Sequence, residues 1–301
     1  MEMKMMQAEM GQRDENRRKA DHGSWINRRR KWLQSMPNVF SIALMAAGSL
    51  PLMAIYVWMV LVSFSDSGLI PKNLTLENWS FLWSELNIDG YIYPSVWTIF
   101  LNTLFIATGT SIFEVLFALL AGYVISQTRF PGRTILLQST LLTHAFPAIT
   151  GLIAAFYILN TVGLLNTLTG IMILKVLGGI PMSTWIIKGF FDEVPRELTW
   201  ASQADGCGRL KTFMTVFLPH IWPGVAAISL FAFLSGWGEY VMISVFLFDD
   251  SISTLSVVIK SLYNETSSAS YGQVMALATF YMLPCVVLYF FSQKALMRMK
   301  L

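Results

Sequence analysis

Three ionisable residues, Glu114, Lys175 and Glu239, sit inside long stretches of the chain that otherwise carry almost no charge. An ionised group in such a stretch faces a bundle interior, a water-filled path or a counter-charge, because hydrocarbon does not solvate it. Glu239 lies in Trp237-Gly238-Glu239-Tyr240, where aromatic faces could stack on a sugar ring and the carboxylate could accept from hydroxyls. The competing reading is interior packing around one satisfied carboxylate. Acid–base catalysis inside a membrane would need Glu114, Glu239 and His144 to converge. The histidines His22, His144 and His220 form no His-Glu-x-x-His, and Cys207 and Cys285 lie far apart, so no metal ligand set and no catalytic residue is assigned. No Gly-x-x-x-x-Gly-Lys-Ser/Thr occurs either, so any use of ATP falls to a partner.

The elements that must hold these residues follow from composition. Of 301 residues, 54% are hydrophobic and 13% charged, against roughly a quarter charged in a soluble domain. The apolar residues gather into runs long enough to cross a bilayer. The runs are Val39 to Val62, about Trp97 to Ser126, Ile135 to Leu159, Leu164 to Phe190, Ile221 to Phe248, and Val274 to Phe291. Six spans place both termini on one side. Pro51, Pro147, Pro181 and Pro284 fall inside or beside these runs, where neighbouring helices can satisfy the carbonyls that a proline frees. Residues 1–38 are polar and hold nine Lys and Arg, which reads as a disordered cytoplasmic tail. The alternate loops hold Arg129 and Arg133, then Arg196, Arg209 and Lys211, with Lys294, Arg298 and Lys300 at the end. The opposite loops hold only Lys72 and Lys260. Positive charge is retained on the cytoplasmic side, so both termini are expected there. The expected domains are the tail 1–38 and a six-helix membrane domain 39–298.

One loop, 192–223, is patterned. Pro195 suits a first helical turn, Glu193 and Glu197 suit the positive end of a helix dipole, and Gly206 can end the helix in a left-handed conformation. Leu198, Ala201, Ser202 and Asp205 recur at helical spacing and share a narrow face of mostly small side chains. Such a face can enter a cleft in another protein. A second helix is expected over about Arg209 to Phe217, stopping at Leu218-Pro219.

The run from Val194 to Cys207, with Phe213 and Leu218-Pro219, resembles the EAA loop of bacterial ABC importer permeases. Further pieces are similar to the maltose-type carbohydrate permeases: Leu101-Asn102-Thr103-Leu104, Ala121-Gly122-Tyr123 before Arg129-Phe130-Pro131-Gly132-Arg133, Leu159-Asn160-Thr161-Val162-Gly163-Leu164-Leu165-Asn166-Thr167, Trp237-Gly238-Glu239-Tyr240 and Tyr271-Gly272-Gln273. The motif's Glu falls on Trp200 and its second Ala on Ser202, and Gly238 stands in the middle of the usual Trp-Asn-Glu.

The resemblance implies an all-α membrane protein of type I ABC importer permease architecture in the bacterial inner membrane. It implies a transport subunit rather than an enzyme, bedded in membrane lipid, binding no nucleic acid and no cofactor of its own, with ATP and Mg used by a partner. The implied partners are a second permease in a heterodimer, two ATP-binding subunits, an extracytoplasmic solute-binding protein and a sugar substrate. Coupling to the ATPase would fall to Glu197, Leu198, Trp200, Ala201, Ser202, Asp205, Gly206, Leu218 and Pro219. The substrate pathway would use Asn102, Trp237, Glu239 and Tyr240. In the outer loops Trp79, Trp83, Tyr91 and Tyr93 are candidate contacts for the binding protein, or members of an interfacial belt. Glycerol phosphate or another small polar solute is the alternative substrate, favoured by a cationic pathway in which Lys175 would serve. A membrane enzyme and a scaffold are the alternatives of other classes.

Overall fold

The computed structural model describes residues 39–66, 68, 70, 73–88, 91–145, 147–263 and 269–296. The basic tail 1–38, Lys72, Arg298 and Lys300 lie outside the described residues, as does the side chain of His144. The chain divides after Trp58 into two compact units.

The helices are α1 (Val39–Ser63), α2 (Val96–Gln127), α3 (Arg133–Ala145), α4 (Leu152–Thr161), α5 (Leu168–Asp192), α6 (Arg196–Ala204), α7 (Arg209–Trp237), α8 (Val241–Phe246), α9 (Leu255–Leu262) and α10 (Tyr271–Leu296). Five of them, α1, α2, α5, α7 and α10, are long and apolar enough to cross a membrane, and Ile149–Thr161 is a shorter apolar helical stretch. Among the described residues the one sheet is an antiparallel pair, β1 (Asn87–Ile88) with β2 (Tyr91–Ile92), in register Asn87 to Ile92.

Three boundaries differ from the sequence expectation. The third apolar run, expected as one span from Ile135 to Leu159, is two helices, α3 and α4, joined through Pro147 and a 3-10 turn over Ala148–Gly151. Proline has no N–H to donate and disfavours helix in the residue before it, and a hydropathy run does not register that break. The fifth run ends as a helix at Trp237, where Gly238 caps it, and restarts as α8. The helix expected to stop at Leu218-Pro219 instead continues into the fifth span. A π turn over Phe213–Phe217 precedes Pro219, and the Leu218 N–H donates to the Phe213 carbonyl five residues back. Proline's ring crowds the carbonyl four residues before it, here Thr215, and the wide turn absorbs that crowding without ending the helix.

In the second unit α2 packs chiefly on α5 and α7, α5 also packs on α7, and α10 packs on α7. The buried positions of α2 include Ile99, Thr103, Ile106, Thr110, Glu114, Ala118 and Gly122, at spacings of three and four, while Leu101, Phe105, Ile112, Leu116 and Leu120 point outward. Helices in lipid gain no hydrophobic drive from burying Leu, so small and polar side chains face neighbours and large apolar ones face lipid. One apolar cluster, including Phe81, Val96, Ile99, Phe233, Leu255 and Phe280, surrounds Trp237. A second, of Val115, Ile187, Phe191, Phe217, Ile221 and Val225, lies at the other end of α2 beside α6. Between these regions the buried Glu114 carboxylate accepts from Ser183 at 2.5 Å, and a Cβ at Gly179 would collide with that carboxylate. Glycine there lets α5 approach the charge-bearing face of α2.

Candidate coupling and translocation sites

α6 is built as its sequence suggests. Pro195 stands at its start, Glu197 occupies the first turn, and the helix ends in a left-handed Gly206 with φ of 76°. The Gly206 N–H donates to Gln203 and the Cys207 N–H to Ser202, each at 3.0 Å, which closes the last turn in a Schellman motif. Glu197, Leu198, Trp200, Ala201 and Asp205 are exposed, Trp200 by 61%. Ser202 is not part of that open face. It is buried, and its hydroxyl bonds Thr212 at 2.9 Å, joining α6 to the first turn of α7. Leu218 is half-buried against the second cluster and Pro219 is exposed. The loop thus presents a short rigid helix, pinned by one buried hydroxyl pair to a helix that runs unbroken to Trp237. Sequence reasoning did not single out Thr212, whose signal would have been a β-branched hydroxyl at helical spacing before an apolar run.

The cleft above α6 has a volume of about 690 Å³, and Arg129, Arg133, Arg196 and Arg209 line it together with Trp200 and Asp192. Asp192 pairs with Lys188 and accepts from Ser126 at 2.6 Å.

The four residues expected on the substrate pathway separate. Trp237 is 1% exposed and fills the core: it stacks on Phe233 and Tyr281, donates from Nε1 to the Tyr281 carbonyl at 3.2 Å, and accepts from the Tyr281 hydroxyl on its own carbonyl. Glu239 is buried against Lys175, with Nζ 2.7 Å from Oε2, and its Oε1 accepts from the Met242 N–H at 2.8 Å, capping α8. Tyr240 is partly exposed beside it. Asn102 lies elsewhere, donating to the Ser253 carbonyl at 3.1 Å, and lines an open cavity of about 720 Å³ with Phe105, Thr108, Asn166 and Thr169. Asn166, in the Leu159–Thr167 run that resembles the carbohydrate permeases, holds a left-handed φ of 61° and accepts from the N–H groups of Phe248 and Asp249. Among the described contacts Glu114 accepts from Ser183 and Glu239 pairs with Lys175.

In the segment after α1, Trp79 stacks on Phe64 and Phe81, the Tyr93 hydroxyl donates to Ser261 at 3.0 Å, and Trp83 is 70% exposed. The Tyr91 side chain lies outside the described residues.

A short helix pinned to a bundle of apolar helices is an arrangement shared with known proteins. Residues 22–299 match the family described as binding-protein-dependent transport system inner membrane component. The chain belongs to that family. It is 34% identical over 193 residues to the maltodextrin transport system permease protein MdxG of Bacillus subtilis, covering 64% of this chain and 69% of that one. It is 33% identical over 214 residues to the maltodextrin transport system permease protein MalD of Streptococcus pneumoniae, covering 70% and 76%. The fold is similar, at a TM-score of 0.70 and 22% identity, to a chain of a bacterial ABC transporter involved in the import of the acidic polysaccharide alginate, covering 85% of this chain and 95% of that one. As a binding-protein-dependent inner membrane component, the protein is a multi-pass transport subunit of the cytoplasmic membrane, and in its family ATP hydrolysis belongs to a separate subunit.

Proposed function

We propose that this chain is one of two permease subunits in an ATP-driven importer of sugars or oligosaccharides, forming half of the translocation pathway. The observation that carries the coupling part is the Ser202–Thr212 pair. α6 is rigid, its outer face is free to enter a groove in an ATP-binding subunit, and its inner face is tied to a helix of membrane-crossing length. Movement of two ATP-binding subunits toward each other is thereby passed to α7 as a tilt. The ATP and Mg reside on those subunits, and this chain binds neither. Free energy for reorientation comes from the different affinities of ATP, substrate and binding protein for the inward-open and outward-open states.

The maltodextrin permeases among the relatives support a carbohydrate substrate. The cavity beside Asn102 suits one chemically: Asn102, Thr108 and Thr169 offer polar groups, and Phe105 offers a ring face. Glu239 and Lys175, which do not line that cavity, hold α5 to the segment after α7, since each neutralises the other. The same pairing counts against glycerol phosphate, because Lys175 is engaged by a carboxylate. A solute-binding protein docks on the outer segment, with Trp83 as its most accessible aromatic side chain there.

The test is ATP hydrolysis by the complex purified with its partner subunits, with and without the binding protein, across a series of malto-oligosaccharides, other sugars and glycerol phosphate. Stimulation by an oligosaccharide together with its binding protein is expected. Stimulation by glycerol phosphate alone among the solutes would replace the substrate assignment, and a folded preparation that brings no ATPase with it would reject the importer.

A further inference from the structure

The cleft between the ends of α2 and α5 and the start of α6 gathers a net positive charge, four arginines to one carboxylate. Arg129 and Arg133 follow α2, Arg196 opens α6 and Arg209 opens α7, and all four line the same space of about 690 Å³. Among the described residues none of the four forms an ion pair. The one carboxylate lining the cleft, Asp192, is taken by Lys188 and Ser126. Guanidinium groups stay protonated, so the cleft keeps its charge, and a concave surface of one sign focuses the field on whatever anion enters. Arginine forks match phosphate oxygens in pairs, which makes a phosphoryl group the best-fitting anion.

The exposed apolar surface lining the same cleft is that of Val124 and Trp200, 48% and 61% exposed, with the half-buried Tyr123; Phe191 and Val194 also line it but are buried. These residues belong to the last turns of two membrane-crossing helices and the segments that follow, the depth at which headgroups meet acyl chains. Arginines in one cleft with the exposed Val124 and Trp200 suit a molecule with a phosphate at one end and hydrocarbon at the other. We propose that this cleft binds a phosphate-bearing anion, and that its occupant is the headgroup of an anionic phospholipid of the inner leaflet. The choice of leaflet rests on the reading of α6 as the cytoplasmic coupling helix. Bound there, the lipid bridges the α2–α3 loop to the start of α6 and to the start of α7, and so stiffens the joint through which the ATPase acts.

The experiment uses the full complex in mild detergent, loaded with phosphatidylglycerol or with phosphatidylcholine, and counts bound lipid by native mass spectrometry. Phosphatidylglycerol is expected to be retained in preference. Arg129→Gln and Arg209→Gln, on different elements, are each expected to lower its retention about fivefold, the effect of one cation near a charged lipid surface. If either variant fails to assemble, the other reads the same quantity. Inorganic phosphate is the competitor. Release of the lipid by phosphate would keep the phosphate site and assign it to a soluble anion. Equal retention of the two lipids, with no phosphate binding, overturns the proposal. Unchanged lipid in both variants with loss of the ATP-binding subunit also overturns it, and gives the arginines to an acidic protein surface. Lipid counts do not depend on transport, so a failed coupling role for α6 would appear in uptake and not here.

Discussion

Lys175 and Glu239 are separated by most of α5 and all of α6 and α7 in sequence, yet they form one ion pair in which the side chains are 15% and 10% exposed. Removing one member of a buried pair leaves an uncompensated charge, a loss of about 3–5 kcal/mol, whereas replacing both removes the need for solvation. Lys175→Met is therefore expected to lower the melting temperature of the solubilised protein markedly, and Lys175→Met combined with Glu239→Gln to recover most of it. Equal melting of the single and double variants would show that the two charges do not depend on each other. That both residues lie in apolar runs was legible from composition, but their pairing was not, because nothing in a one-dimensional pattern sets the rotation of α5 against α7. Trp237 illustrates the same limit. Its place in an aromatic, carboxylate-bearing run was visible, and a sugar-stacking face and a core ring look identical until Phe100, Phe233 and Tyr281 are seen around it.

At the level of elements, α6 was readable almost to the residue, because proline, acidic first turn and terminal glycine each act locally. Gly206 holds φ 76°, where a β-branched side chain costs about 1–2 kcal/mol, so Gly206→Val should unwind the last turn and misplace Ser202 against Thr212. Uptake by the variant is expected to fall while the complex still inserts and hydrolyses ATP without substrate control; normal uptake would remove α6 from the coupling role. The breaks at Pro147 and Gly238 and the continuity through Pro219 were not readable. At the prolines they depend on how a helix responds, by parting at Pro147 and by widening into a π turn before Pro219, where Phe213 and Phe217 pack on Tyr123 and Phe191.

For the whole molecule, the orientation rests on the distribution of Lys and Arg. A reporter fused after Leu301 is expected to stay in the cytoplasm, read by its activity in intact cells, and a translocated reporter would invert the topology and move the arginine cleft to the outer leaflet. Legibility at this scale was uneven for a physical reason. Lipid-facing and protein-facing sides of α2 are both apolar enough for hydropathy to see one run, and only the size and polarity of Thr103, Thr110, Glu114 and Gly122 mark the inner side. The π turn over Phe213–Phe217 has a corresponding effect on geometry. Each residue of an α-helix advances the chain by about 100° of rotation. The one surplus residue in that turn therefore acts as an angular offset between the two halves of α7: it separates the azimuth at which Thr212 meets Ser202 from the azimuth at which Ile221 and Val225 meet the bundle, so α6 can be aimed without turning the span beyond it.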